Sequence, residues 1–166
     1  MADLLIDNVI ATALNRLAKA EMGWGKIHPK VIKELLNLSD LYLVVGKYEL
    51  AKPIYWRILD IQTKLLGPKH IDNAETLLSL GEVHECSAEL ELAEQFYVAA
   101  LWILDQQEDR YQSDTLGRLF LKLYGVYKLT GNQKKISEIE ARLYGYLKRG
   151  YNSRPSKPVS AMAAVA

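Results

Sequence analysis

Two stretches of this chain repeat each other at a spacing of 42 residues. Gly25 recurs as Gly67, His28 as His70, Leu35 as Leu77, Leu38 as Leu80, Ala51 as Ala93, Tyr55 as Tyr97, Leu59 as Leu101 and Ile61 as Ile103. A fixed period of this length means stacked supersecondary units, because one unit cannot bury its apolar face alone and is covered by its neighbours. The product is an extended surface instead of a closed cleft, and the use of such a surface is binding.

Within each period the apolar positions follow the three-and-four spacing of one helix face. Leu35, Leu38, Leu41, Tyr42 and Val45 form a first helix that Gly46 stops, and Leu50, Ala51, Ile54, Tyr55, Ile58, Leu59, Ile61 and Leu65 form a second that ends at Gly67-Pro68. The second copy opens with Asp72 and Glu75, spaced as a helix cap and its reciprocal partner. A weaker third copy sits at an offset of 85, where Phe120, Leu123, Val126, Tyr127 and Gly131 match Leu35, Leu38, Leu41, Tyr42 and Gly46. Its polar second helix suits the solvated end of a stack. Upstream, residues 3–22 form an apolar-rich helix in register with the second helix of a pair, and its partner is missing. Seven helices follow, at about 3–22, 29–45, 48–66, 72–87, 90–107, 113–130 and 132–149.

Composition sets the class. With 166 residues, 49% of them hydrophobic, the chain supports one buried core, taken as a single domain over residues 1–150. Its 21 basic and 20 acidic side chains exert no global pull toward nucleic acid or an anionic membrane. Asp3, Asp7 and Asn8 interrupt the first apolar stretch, which therefore reads as neither signal peptide nor membrane span. Cys86 is the one cysteine, which excludes an internal disulfide and agrees with a reducing, cytoplasmic setting. Residues 151–166, with Pro155, Pro158 and no packing period, are expected to be disordered.

The run Gly46-Lys47-Tyr48-Glu49-Leu50-Ala51-Lys52-Pro53-Ile54-Tyr55, continued by Leu59-Asp60-Ile61 and Leu65-Leu66-Gly67-Pro68-Lys69-His70, resembles the 42-residue tetratricopeptide repeat of the kinesin light chain type. The match includes Pro53 inside a helix, where proline ordinarily costs about 3 kcal/mol. The resemblance implies an all-α, right-handed solenoid of antiparallel helix pairs, with repeats at 26–66, 68–107 and 112–149. No long heptad segment like that of the motor subunit accompanies it. Small residues fit the same picture: Ala51 and Ala93 on second helices, with Ser39 and Gly81 on first helices, let backbones approach closely. In the third copy these sites hold Ile136 and Tyr124, so packing there is expected to be altered.

Catalytic constellations fail on spacing. His84-Glu85-Cys86-Ser87-Ala88 starts like a zinc-protease helix but has Ala88 where the second histidine must stand. His84 and Cys86, two apart on a helix, point in different directions and form no nucleophile-base pair. His84 also shares its repeat position with Tyr42 and Tyr127, which marks it as a core residue. His28 and His70 occupy equivalent connectors and read as caps of the following helices. No phosphate loop, metal set or cofactor motif is present, and the chain reads as non-enzymatic.

The resemblance places a binding surface on the concave side, lined by the first helix of each pair. Lys33, Leu36, Asn37, Asp40 and Leu43 come from the first copy, Glu75, Leu78, Ser79, Glu82 and Glu85 from the second, and Arg118, Leu121, Lys122 and Lys128 from the third. Asn37 matches the asparagine with which the family holds an extended peptide backbone, although its equivalents here are Ser79 and Lys122. On the outer helices Trp56, Val98 and Trp102 stand where charge is usual and suggest an apolar ridge, unless Trp102 tucks between repeats. The expected function is a protein- or peptide-binding adaptor or scaffold without cofactor, nucleic-acid or membrane partner. The alternative is a structural subunit of an oligomer assembled through the N-terminal helix and the Trp ridge.

Overall fold

The structure, a computed structural model, describes residues 2–107 and 114–152, with side chains over 5–107 and 114–149. Seven helices and no strand occur among the described residues. They are α1 (Ala2–Trp24), α2 (Pro29–Val44), α3 (Tyr48–Leu66), α4 (Ile71–Cys86), α5 (Leu90–Asp105), α6 (Asp114–Leu129) and α7 (Gln133–Asn152). Each packs on the next along the chain, and α4 also touches α6, which is the order of a helical solenoid.

The turn inside each hairpin is built the same way three times. After α2, α4 and α6 the chain passes through a left-handed residue: Gly46 at φ 71°, Ala88 at 59° and Gly131 at 69°. The following N–H then reaches back five residues, Lys47 to the Tyr42 carbonyl at 2.8 Å, Glu89 to His84 at 2.9 Å and Asn132 to Tyr127 at 3.0 Å. This six-to-one bond satisfies a carbonyl that the helix end leaves open. Between α1 and α2 and between α3 and α4, left-handed Gly25 and Gly67 end one helix and a histidine begins the next. His28 Nδ1 accepts the Lys30 N–H at 3.1 Å, and His70 Nδ1 accepts the Asp72 N–H at 3.2 Å. The expected cap at Asp72 is thus displaced by two residues: His70 occupies the cap, and Asp72 lies in the first turn facing the positive helix end.

Tyrosine rings decide how closely the helices of a pair approach. Tyr97 on α5 is fully buried, and a Cβ placed on Gly81 of α4 would lie 2.2 Å from its ring. The small site therefore receives an aromatic side chain, in addition to the fully buried Ala93 nearby on α5. Tyr55 is buried in the same position of α3, with buried Ser39 at the Gly81-equivalent site. The third pair uses the device elsewhere: Tyr146 on α7 packs edge-on against Phe120 at 5.9 Å, and a Cβ on Gly117 of α6 would lie 3.0 Å from the Tyr146 hydroxyl. One continuous core runs from Ile10, Ala13 and Leu17 on α1 to Ile136 and Ile139 on α7.

Two expected boundaries move. α5 ends at Asp105, two residues early, and α7 continues to Asn152, into the expected tail. Nothing between Arg149 and Asn152 forbids a helix, since the first proline comes at 155, and Arg149 in the last turn suits the negative helix end. The start of the third repeat at 112 and the disorder expected for 153–166 fall outside the described residues.

Candidate functional site

The first helices of the pairs carry the candidate binding residues. Arg118 of α6 pairs with Glu75 at 3.3 Å and Glu82 at 3.5 Å on α4. Lys122 reaches Glu82 at 3.7 Å and Glu85 at 3.2 Å. Acidic and basic groups that the sequence separates into a central and a terminal patch are therefore one paired cluster. Arg118 keeps a side-chain exposure of 51%, and ion pairs of such exposure contribute only about 0–1 kcal/mol.

Leu78 departs from its expected place on the surface, being fully buried. Helix α4 packs on α3 and α5 and also touches α6, and nine of its residues are buried against four of α2, so its buried stripe is wider. Ser79 donates to the Glu75 carbonyl of its own helix at 3.2 Å. On α2, Asn37 lies 3.4 Å from Glu34, which pairs with Arg16 of α1 at 3.1 Å. Asp40 accepts a hydrogen bond from the Tyr55 hydroxyl at 3.3 Å, and Glu85 accepts one from Tyr97 at 2.6 Å. Burial first, with Asp40 adding to it against the opposing hydrogen bond to Ser39, pushes the Tyr55 phenol up to about 12. Burial and then Glu85 raise Tyr97 further. Both hydroxyls stay protonated at neutral pH and hold the carboxylates in place. Neither Lys33 nor Asp40 has an ion-pair partner among the described residues.

Two open grooves meet at Asn37. One, of about 410 Å³, is lined by Ile32, Lys33, Leu36, Leu65, Leu66 and Asp72 among others. The other, of about 450 Å³, lies between α1 and α2 and was not legible as a site in the sequence. Its one signal was that residues 3–22 fall in the register of a second helix.

On the outer face Trp56, Val98 and Trp102 are 50%, 44% and 52% exposed. Trp56 packs edge-on against Phe96 at 5.5 Å, and the Lys69 ammonium lies 5.3 Å from the Trp102 ring centre. Phe96 in turn stacks on His84 at 4.9 Å. His84 is a buried core residue, with Nδ1 2.5 Å from Glu89, which also binds Lys52 at 2.9 Å. Among the described residues no group of three or more histidine, cysteine or acidic side chains is placed to hold a metal ion. No helix among them is long and apolar enough to cross a membrane.

Residues 33–106 match the family model of the tetratricopeptide repeat. Residues 33–106 are tetratricopeptide repeats, and the described chain has the all-α fold of such repeats. Solved structures share the fold of these repeats over nearly the whole described chain. BtubC (BKLC) from P. vanneervenii superposes with a TM-score of 0.79 at 21% identity, covering 97% of this chain and 64% of its own. This chain therefore spans less than two thirds of that protein. A variant of a Podosopora anserina protein with nearly identical TPR-like repeats, named for the kinesin light chain, gives 0.73 at 14% identity, covering 92% of this chain and 72% of its own. A second structure so named from the same organism gives 0.56 at 11%, with 93% and 92% covered. No curated protein matches the sequence. Tetratricopeptide repeats generally mediate contacts between proteins and are typically non-catalytic scaffolds.

Proposed function

We propose that this tetratricopeptide protein is a non-catalytic adaptor of the cytoplasm that docks an extended segment of a partner protein along α2 and α4, without cofactor, nucleic acid or membrane. The observation that supports this reading is the stripe formed by Lys33, Asn37 and Asp40 on α2, continued by Ser79 and Glu82 on α4. Lys33 and Asp40 carry charges that no ion pair among the described residues satisfies. The pairs that Arg118 and Lys122 make with α4 are partly exposed and weak enough for a basic partner side chain to displace. Electrostatic complementarity then selects a segment of basic or mixed charge.

A fluorescent peptide panel of basic, mixed and acidic composition tests the reading. Basic and mixed peptides bind in a salt-sensitive way, and Asp40→Lys with Glu82→Lys weakens them about tenfold while the helical circular dichroism signal is kept. Equal binding by the double variant would show that the groove is idle. The half-exposed Trp56, Val98 and Trp102 favour a second reading, in which the chain is a structural subunit assembled through its outer face.

A further inference from the structure

A buried polar pair joins the first hairpin to the second: Thr76 Oγ1 on α4 donates to Gln62 Oε1 on α3 at 2.7 Å. Gln62 is 5% exposed and Thr76 3%. In the repeat register, with the one-residue insertion before the third copy, the next junction places Leu104 and Leu119 at these two positions, both fully buried. An apolar pair therefore suffices to join two hairpins, whereas a buried amide is costly unless its polar atoms are matched. Thr76 matches only the amide oxygen. The Gln62 Nε2 has no hydrogen-bond partner among the described residues, and Gln62 lies in the lining of the 410 Å³ groove.

The rest of that lining states what can meet the amide. Ile32 and Leu36 of α2 with Leu65 and Leu66 of α3 give apolar walls, and Leu65 and Leu66 are 41% and 44% exposed. Lys33 and Asp72 bring opposite charges to the same lining. A carboxylate placed here meets Asp72 and an ammonium meets Lys33, so the site selects a neutral group. The free Nε2 is a donor, and Asn37 contributes an amide oxygen to which no described group donates. A hydroxyl answers both, because it accepts and donates. Among the natural side chains tyrosine alone carries a hydroxyl on a large apolar body. Lys33 and Asn37 also belong to the concave stripe, so the groove is continuous with the surface assigned to the partner segment.

We propose that this groove anchors the docked segment by taking a tyrosine side chain of the partner, and that Gln62 selects tyrosine over phenylalanine. The proposal rests on the reading that a partner segment lies along α2 and α4, and it adds the residue which that segment must carry.

Labelled peptides of one mixed-charge sequence, differing only in a central tyrosine, phenylalanine or alanine, are titrated with the full chain and followed by fluorescence anisotropy. The tyrosine peptide is expected to bind about fivefold tighter than the phenylalanine peptide. Leu66→Glu, at a half-exposed position, brings the tyrosine peptide down to the level of the alanine peptide. Gln62→Leu with Thr76→Leu copies the buried Leu104 and Leu119, so the protein folds and the preference for tyrosine disappears or reverses. The ratio of two affinities is read within each protein, and a general loss of stability does not imitate its change. If the peptides bind but the wild type shows no tyrosine preference, or the double variant keeps it, the anchor is overturned and the docking reading stands. No binding by any peptide up to about a millimolar overturns both. A wild-type dimer in sedimentation that Tyr144→Ala abolishes would place the exposed Tyr144 of a second copy in the groove and also overturn the proposal.

Discussion

Gly81 and Tyr97 set a close approach between α4 and α5. Alanine is the better helix former by about 1 kcal/mol, yet Gly81→Ala would push a Cβ to 2.2 Å from a fully buried ring. Overpacking wins, with an expected net loss of about 1–3 kcal/mol in urea unfolding. Tyr97→Leu in the Gly81→Ala background should restore part of that loss, since the two effects share one contact. Ala88 presents the opposite case. It holds φ at 59° where Gly46 and Gly131 serve the other two hairpins, and a left-handed conformation costs an alanine about 1–2 kcal/mol. Ala88→Gly is expected to raise stability by about 0.5–1 kcal/mol, the remainder being offset by glycine's greater freedom when unfolded. A lower urea midpoint for Ala88→Gly would contradict this account. The repeat alignment marks both positions, but the ring that occupies the space beside Gly81 comes from the three-dimensional packing.

Helices and their turns were legible because their causes are local. The spacing of apolar residues, the glycines after α2, α3 and α6, and the histidines before α2 and α4 act within a few residues of where they stand. The junction between successive hairpins is different, since Lys52 on α3 reaches Glu89, which the local turn already sets beside His84, only after stacking. Hydrogen bonds from Lys52 and then His84 hold the Glu89 carboxyl below the usual carboxylate range. Burial lowers the Lys52 ammonium, but its hydrogen bonds to Glu49 and Glu89 outweigh this and leave it raised. A depressed carboxylate contributes stability above its unfolded value of about 4.3, and the contribution is lost as pH falls through the folded value. Thermal melts between about pH 5 and pH 2 should therefore show a smaller acid loss for Glu89→Gln than for the wild type. Parallel curves would mean that the junction does not couple protonation to folding.

The whole molecule is a stack whose ends and outer face are not covered equally. Trp56, Val98 and Trp102 remain half-exposed on the outer helices, and burying such groups contributes about 25 cal/mol for each square ångström removed from water. If this ridge mediates self-association, static light scattering should report oligomers for the wild type and a monomer for Trp56→Glu with Trp102→Glu, both retaining the helical signal. Folded monomers in both cases would leave the ridge without that role. The 42-residue period by itself determined the helix count, the hairpins and the solenoid class, because each unit's periodicity and turn chemistry are written within one repeat. Tertiary structure alone decided that Arg118 and Lys122 answer the acids of α4, that Leu78 leaves the surface, and that α1 and α2 enclose an open groove. Those outcomes depend on how one hairpin is rotated and set against the next, which brings together side chains some forty residues apart, and no local pattern encodes that angle.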